Sequence, residues 1–172
     1  MWPNGWKDRF APFDVMDDVT IARAIHVLSV VHWFGGVAFV TTVVLPAIGR
    51  LAPLAARLPL FETVERRFAA QVRMSVPLAG LSGLYMVERL DLWSRLVDPA
   101  GWWLVGMIVV WMVFMVVLFV LEPLVLHDWF QRRATVDPVS AFVLMQRMHW
   151  VAVAAGVAAA GAAILGAHGL LG

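Results

Sequence analysis

The chain has 172 residues, of which 62% are hydrophobic and 15% charged, with a formal net charge of +1 and a mean hydropathy of +0.81. So small a polar share is unlike a soluble domain and places the chain among integral membrane proteins, in contact with a lipid bilayer. The lack of cysteine excludes disulfides, zinc–thiolate sites, chain-held iron–sulfur clusters and covalent c-type haem, and a near-neutral chain without a basic arm gives no reason for a nucleic-acid partner.

The N-terminal stretch 1–19 carries Lys7, Asp8, Arg9, Asp14, Asp17 and Asp18 and has no apolar core, so it does not read as a cleavable signal peptide. Trp2, Trp6, Phe10 and Phe13 suit a retained tail lying in the headgroup layer.

A first span is expected over roughly 20–48, uncharged between Arg23 and Arg50 and closed by Pro46 and Arg50. It holds His26, His32 and Trp33. A neutral imidazole in hydrocarbon still has a donor and an acceptor to satisfy, so both histidines need a partner, a cavity or a cofactor. A connection over 50–67, broken by Pro53 and Pro59, leads to a second span over roughly 68–87 that contains Arg73, Pro77, Gly80 and Gly83. The two glycines allow a helix or a flat ligand to approach the backbone closely.

The third span, roughly 101–126, is bracketed by Trp102–Trp103 and His127-Asp128-Trp129, as membrane interfaces favour. Arg132 and Arg133 fall in the following loop, and Asp137-Pro138 starts the last helix. The fourth span, roughly 143–170, opens on Gln146-Arg147-Met148-His149, turns rich in Ala and Gly, and ends at His168. These features predict an all-α protein: a single transmembrane domain over residues 1–172, folded as an integral membrane four-helix up-and-down bundle.

Arg50, Arg57, Arg66, Arg67, Arg73, Arg132, Arg133 and Arg147 lie toward one side, against Lys7, Arg9, Arg23, Arg89 and Arg95 on the other. The positive-inside rule then places both termini on the non-cytoplasmic side, and the expected location is a bacterial inner membrane.

At about 1.5 Å per residue, His26 lies roughly 9 Å and His32 roughly 18 Å from the outer end of the first span, while His168 lies roughly 5 Å from the outer end of the fourth. His168 shares a stripe with Ile164, Gly161, Val157, Ala154 and Trp150, whose small residues would leave room for a flat macrocycle. His26 and His168 are therefore expected as axial ligands of a b-type haem near the outer face, with His32, Trp33 and Gly161 around it. The competing reading has these histidines hydrogen-bonded to neighbouring helices or lying at the wet interface. His127 and His149 form a candidate second, inner metal site. Arg73 and Glu122, each about one turn inside its span, should pair. Arg66, Arg67, Arg73 and Arg147 would alternatively hold a haem propionate or a substrate carboxylate. Met145, Met148 and His149 are the best local cluster for a copper reading.

The pattern His26-x6-Trp33-x-Gly35-Gly36 with Pro46 at the span end resembles the opening helix of the copper-resistance CopD family and of HemJ-type protoporphyrinogen oxidases. The turn Glu65-Arg66-Arg67-Phe68 before the Pro77–Gly83 helix is similar to the HemJ pattern, so the resemblance covers about the first half of the chain. It implies a haem-binding helical bundle with His26 as a ligand or, on the CopD side, copper handling. HemJ-type chains carry a lysine in the third helix; Gly101–Leu126 has neither Lys nor His, a departure that puts protoporphyrinogen oxidation in doubt and leaves haem binding open.

The expected function is thus a b-type haem protein passing electrons within the membrane, to a quinone or a redox partner subunit. The alternatives are a copper-handling membrane protein and a cofactor-free accessory subunit, and an oligomer is compatible with each.

Overall fold

The computed structural model describes residues 15–169, leaving the N-terminal aromatic residues and the side chain of His127 outside the described part. Among the described residues the chain is helical, with no strand. Helix α1, Val15–Phe39, runs through a π-helical turn at Val40–Val44 into α2, Leu45–Leu51. After Ala52-Pro53 comes α3, Leu54–Arg89. Two 3₁₀ turns, Trp93–Leu96 and Pro99–Gly101, lead to α4, Trp102–Val116, which continues through a π-helical segment, Val117–Leu126, into α5, His127–Val136. The last helix, α6, is Pro138–Ala167.

Prolines explain most of these boundaries and interruptions. Pro46 and Pro123 each lack an N–H and crowd the carbonyl four residues earlier, and each lies in or just after a widened π turn rather than at a break. The first helical rod therefore passes Pro46 and stops at Leu51, where Pro53 holds Ala52 extended. Pro59 does not break the 50–67 stretch. It lies inside α3, whose first turns bury Leu58 and Phe61 against α6 and the end of the first rod, and that burial outweighs one missing backbone bond. Arg132 and Arg133, expected in a loop, lie on α5. The Asp137 carboxylate caps α6 by accepting from Ser140 N at 3.0 Å, with Pro138 in the first turn. Hydrogen bonds from the Ser140 side chain and then its backbone N–H hold the Asp137 carboxyl below the usual carboxylate range.

Three helical stretches are long and apolar enough to cross a membrane: Asp17–Leu51, Pro99–Leu126 and Pro138–Ala167. The expected second span falls within α3, which is equally long but carries Gln71, Arg73, Ser75 and Ser82. Gln71 and Arg73 turn toward neighbouring helices, and the serines bond back to carbonyls of α3 itself. Gln71 Oε1 meets His32 Nε2 at 3.3 Å, Arg73 pairs with Glu122 at 2.7 Å, and Ser82 donates to the Leu78 carbonyl. At one end Tyr85 and Arg89 both donate to Asp18, at 2.9 and 2.8 Å. At the other end Gln131 on α5 donates to Glu62.

Two apolar clusters support this framework. One joins Val40, Leu45, Leu58, Phe61, Phe142 and Met145; the other gathers Trp33, Val72 and Val76 with Trp111 and Phe114 around them. Aromatic rings lie on glycines wherever helices approach closely: Phe68 on Gly36, Trp111 on Gly80, Phe34 on Gly156 and Trp103 on Gly166. Trp111 also donates its Nε1 to the Val76 carbonyl at 2.8 Å.

A methyl group at Gly80 has no room beside the Trp111 indole. Gly80→Ala should therefore displace Trp111 and destabilise the detergent-solubilised protein by about 1–3 kcal/mol. Gly35→Ala, with nothing within 4 Å, should leave the thermal midpoint unchanged or slightly raised.

Candidate functional site

Between α3, the α4–α5 rod and α6 lies an open-sided cavity of about 620 Å³, within the usual range for small-molecule sites. Trp103 on Gly166 draws α4 and α6 together near one end, and Phe34 on Gly156 holds α6 to α1. Beyond those contacts the facing residues are Val109, Val113, Val117, Ala152 and Ala155, which do not fill the gap. Val113 and Val151 on its edges are 55% and 69% exposed, so the cavity opens sideways between α4 and α6.

The polar groups of the cavity belong to one end: Glu62 and Glu65 on α3, Glu122 on the π-helical segment, and Arg147 and His149 on α6. Glu122 is taken by Arg73, and Glu62 accepts from Gln131. Among the described residues Glu65 has no hydrogen-bond or ion-pair partner, and neither has Arg147. Glu65 precedes the 68–87 stretch and is half-buried. Its burial, then the charges of Glu122 and Glu62, push its carboxyl up to about 7.

His149 lines the cavity with its ring edge-on to Phe61, the centroids 5.4 Å apart. Its Nδ1 lies 3.0 Å from the Met145 carbonyl oxygen. A carbonyl only accepts, so Nδ1 carries the proton and the Nε2 lone pair stays free. Metal-ligating histidines are usually held this way, by an N–H bond on the nitrogen away from the metal.

The other expected site residues are spread over the structure. His26 faces α3, its Nδ1 2.7 Å from the Ala79 carbonyl and 3.5 Å from Ser82 Oγ, with Gly83 against the ring. It too has Nδ1 as donor and Nε2 free. His168 is exposed at the end of α6 and bonds back to the Ile164 carbonyl at 2.7 Å. Among the described residues no hydrogen bond joins His26 to His168. His32 is exposed and bonded to Gln71. Trp33 is buried, edge-on to Phe114 at 4.7 Å, and its Nε1 has no acceptor among the described residues. Gly161 has open space around it, and its stripe-mates Ile164, Val157 and Trp150 are exposed, so this stripe faces outward. Met145 and Met148 line the cavity beside His149. Among the described residues no group of three or more His, Asp or Glu converges as a metal site.

Sequence reading passed over Glu65, taking it as part of a charged turn. Its signal was the spacing Phe61-x3-Glu65, which puts a carboxylate on the inward stripe of an amphipathic helix.

Comparison with protein-family models, with curated proteins and with solved structures finds no match to this chain.

The raised pKa of Glu65 has a consequence for stability. The folded state disfavours the ionised carboxylate, so this destabilisation is absent below about pH 4.5, grows as pH rises, and is complete above about 7. Glu65→Gln should unfold at a higher temperature than the parent at pH 8, by on the order of 5 °C, with the gap closing at pH 4.5. Thermal unfolding in detergent at the two pH values checks this; an equal gap at both would contradict it.

Proposed function

We propose that this chain is a four-span, up-and-down helical membrane protein that binds b-type haem in the α3–α4–α6 cavity for electron transfer within the membrane. The single observation that carries the reading is the His149 imidazole, set in an apolar cavity of about 620 Å³ with its Nδ1 tied to a backbone carbonyl and its Nε2 free. The donor set fits the group. His149 would hold the iron, the valine and alanine walls would take the porphyrin faces, and Arg147 at the polar end suits a propionate. Bound haem supplies one-electron chemistry.

The chain's own residues do the rest. Met145's carbonyl fixes the tautomer and orientation of His149, the Phe61 edge limits its rotation, and the apolar walls keep water from the site. His26, with the same tautomer and a free Nε2, is the second candidate ligand, and His168 could join it only across the outer end of α6. A quinone or a partner subunit would be the redox partner. HemJ-like or CopD-like kinship accords with this reading.

Counting α3 as a span rests on its polar groups being matched by other helices rather than exposed to lipid. Both termini are then on the non-cytoplasmic side of a bacterial inner membrane. A C-terminal reporter active only in the cytoplasm would overturn that orientation. A second reading, copper handling, is favoured by the common location of Met145, Met148 and His149 in the cavity.

The test is a dithionite-minus-oxidised spectrum of protein purified from haem-replete cells, with His149→Ala and His26→Ala beside it. A sharp reduced α-band that is lost in His149→Ala is expected. Loss confined to His26→Ala would move the haem to the other end of the bundle. No Soret or α-band would sink the haem reading, and stoichiometric copper in that colourless protein would favour the second.

A further inference from the structure

Two charged groups at the cavity's polar end lack a partner among the described residues, and they differ in one chemical respect. Arg147 cannot shed its charge, whereas the Glu65 carboxyl can be neutralised by a proton from the adjoining water. Two acidic neighbours disfavour the ionised form of Glu65. On its own helix lies Glu62, occupied by Gln131 of α5, and across the cavity lies Glu122, occupied by Arg73. Helix α6 contributes Arg147 and the imidazole of His149, whose Nδ1 donates to the Met145 carbonyl. Arg147 is thus a lasting cation without an ion-pair partner among the described residues, and it lines an apolar cavity open on the side between α4 and α6.

We propose that the cavity's polar end is a carboxylate-binding site for an amphipathic ligand, in which Arg147 pairs with the ligand's carboxylate and a protonated Glu65 donates a hydrogen bond to it. The site takes a lipid-soluble carboxylic acid: its apolar body lies along the valine and alanine walls and its head reaches the rim. A carboxylic acid donating to a carboxylate forms a strong, charge-assisted bond, and the arriving anion strengthens the hold of Glu65 on its proton. Binding the ligand anion therefore takes up one proton. Glu65 is free to supply one already at acidic pH, where its carboxyl is neutral, and must acquire one above about 7. The inference rests on the cavity being a ligand site, as in the haem reading, and adds which head group the site selects and what proton accompanies it.

The experiment uses the full chain in detergent and two probes: haem, followed by its Soret band, and cis-parinaric acid, a fluorescent fatty acid, with its methyl ester as control. For either acid the dissociation constant should rise about tenfold per pH unit above about pH 7, and for cis-parinaric acid it should be flat between the acid's own ionisation and that pH. Glu65→Gln, which mimics the protonated side chain, should bind tightly with that rise abolished. Arg147→Gln should weaken binding of the acid at every pH and keep the rise, and the methyl ester should bind without it. Protonation of His149 would weaken haem binding on acidification, so its effect has the opposite sign.

A pH-independent parent, a rise that persists in Glu65→Gln, or an ester bound as tightly as the acid would overturn the proposal. Haem bound without the rise would leave the haem reading standing and overturn this one. Parinaric acid bound with the rise, and haem not at all, would do the reverse. Binding of neither probe would overturn both.

Discussion

A polar side chain carried into an apolar layer has to be matched by another helix, and α3 carries most of those found here. Gln71, Arg73, Ser82, Tyr85 and Arg89 lie along it, and its Val76 and Ala79 carbonyls accept side-chain bonds as well. Among the described residues the hydrogen bonds that join one long helix to another converge on this element. In hydrocarbon, an unmatched amide or guanidinium costs several kcal/mol. The partners of α3 are thus constrained by more than shape: α1 must supply His26, His32 and Asp18, the π-helical segment Glu122, and α4 Trp111. Apolar packing decides how closely the helices approach, whereas this set of matches decides which helices are adjacent.

Close approach is governed by a second device, aromatic rings lying on glycines. It operates along α1–α3 at Gly36, along α3–α4 at Gly80, and along α4–α6 at Gly166. The cavity begins where the device stops. Between the Trp103–Gly166 contact and the polar end, α4 and α6 line the cavity largely with valine and alanine, side chains too small to fill it, and no glycine in that lining receives a ring. Pro123 lies on the same stretch and widens the backbone into a π-helical turn, which offsets Glu122 from the regular helical register.

Much of the fold was legible from apolar run lengths, since helical class and three membrane-length helices follow from periods of unbroken hydrophobicity. The Arg73–Glu122 pair was legible too, because two opposite charges one turn inside their spans have no cheaper arrangement. Proline was misleading at Pro46 and Pro59. The loss of one backbone bond there is absorbed by a π turn or offset by burial, and neither can be read locally. The candidate site was less legible. Depth alone put His26 level with His168, and α1 and α6 do touch through Phe34 and Gly156, but azimuth turns His26 toward Ala79 on α3. Which neighbour a histidine meets depends on helix rotation, and α1 is apolar nearly all round, so its pattern does not fix that rotation.

Three histidines share one local arrangement, Nδ1 donating to a backbone carbonyl, yet their surroundings separate their roles. His26 is bonded across to α3, beside Gly83, where the ring ties two helices together. His168 bonds back to its own last turn and is exposed, which satisfies a helix end. His149 also bonds back to its own helix, but its ring lines a large cavity in which unpaired charge and free volume coincide. A fixed tautomer is thus common to all three and selects none. The selection comes from what the free nitrogen is offered, and of the three rings His149 is the one that lines a cavity large enough for a ligand and carries a polar end able to recognise one.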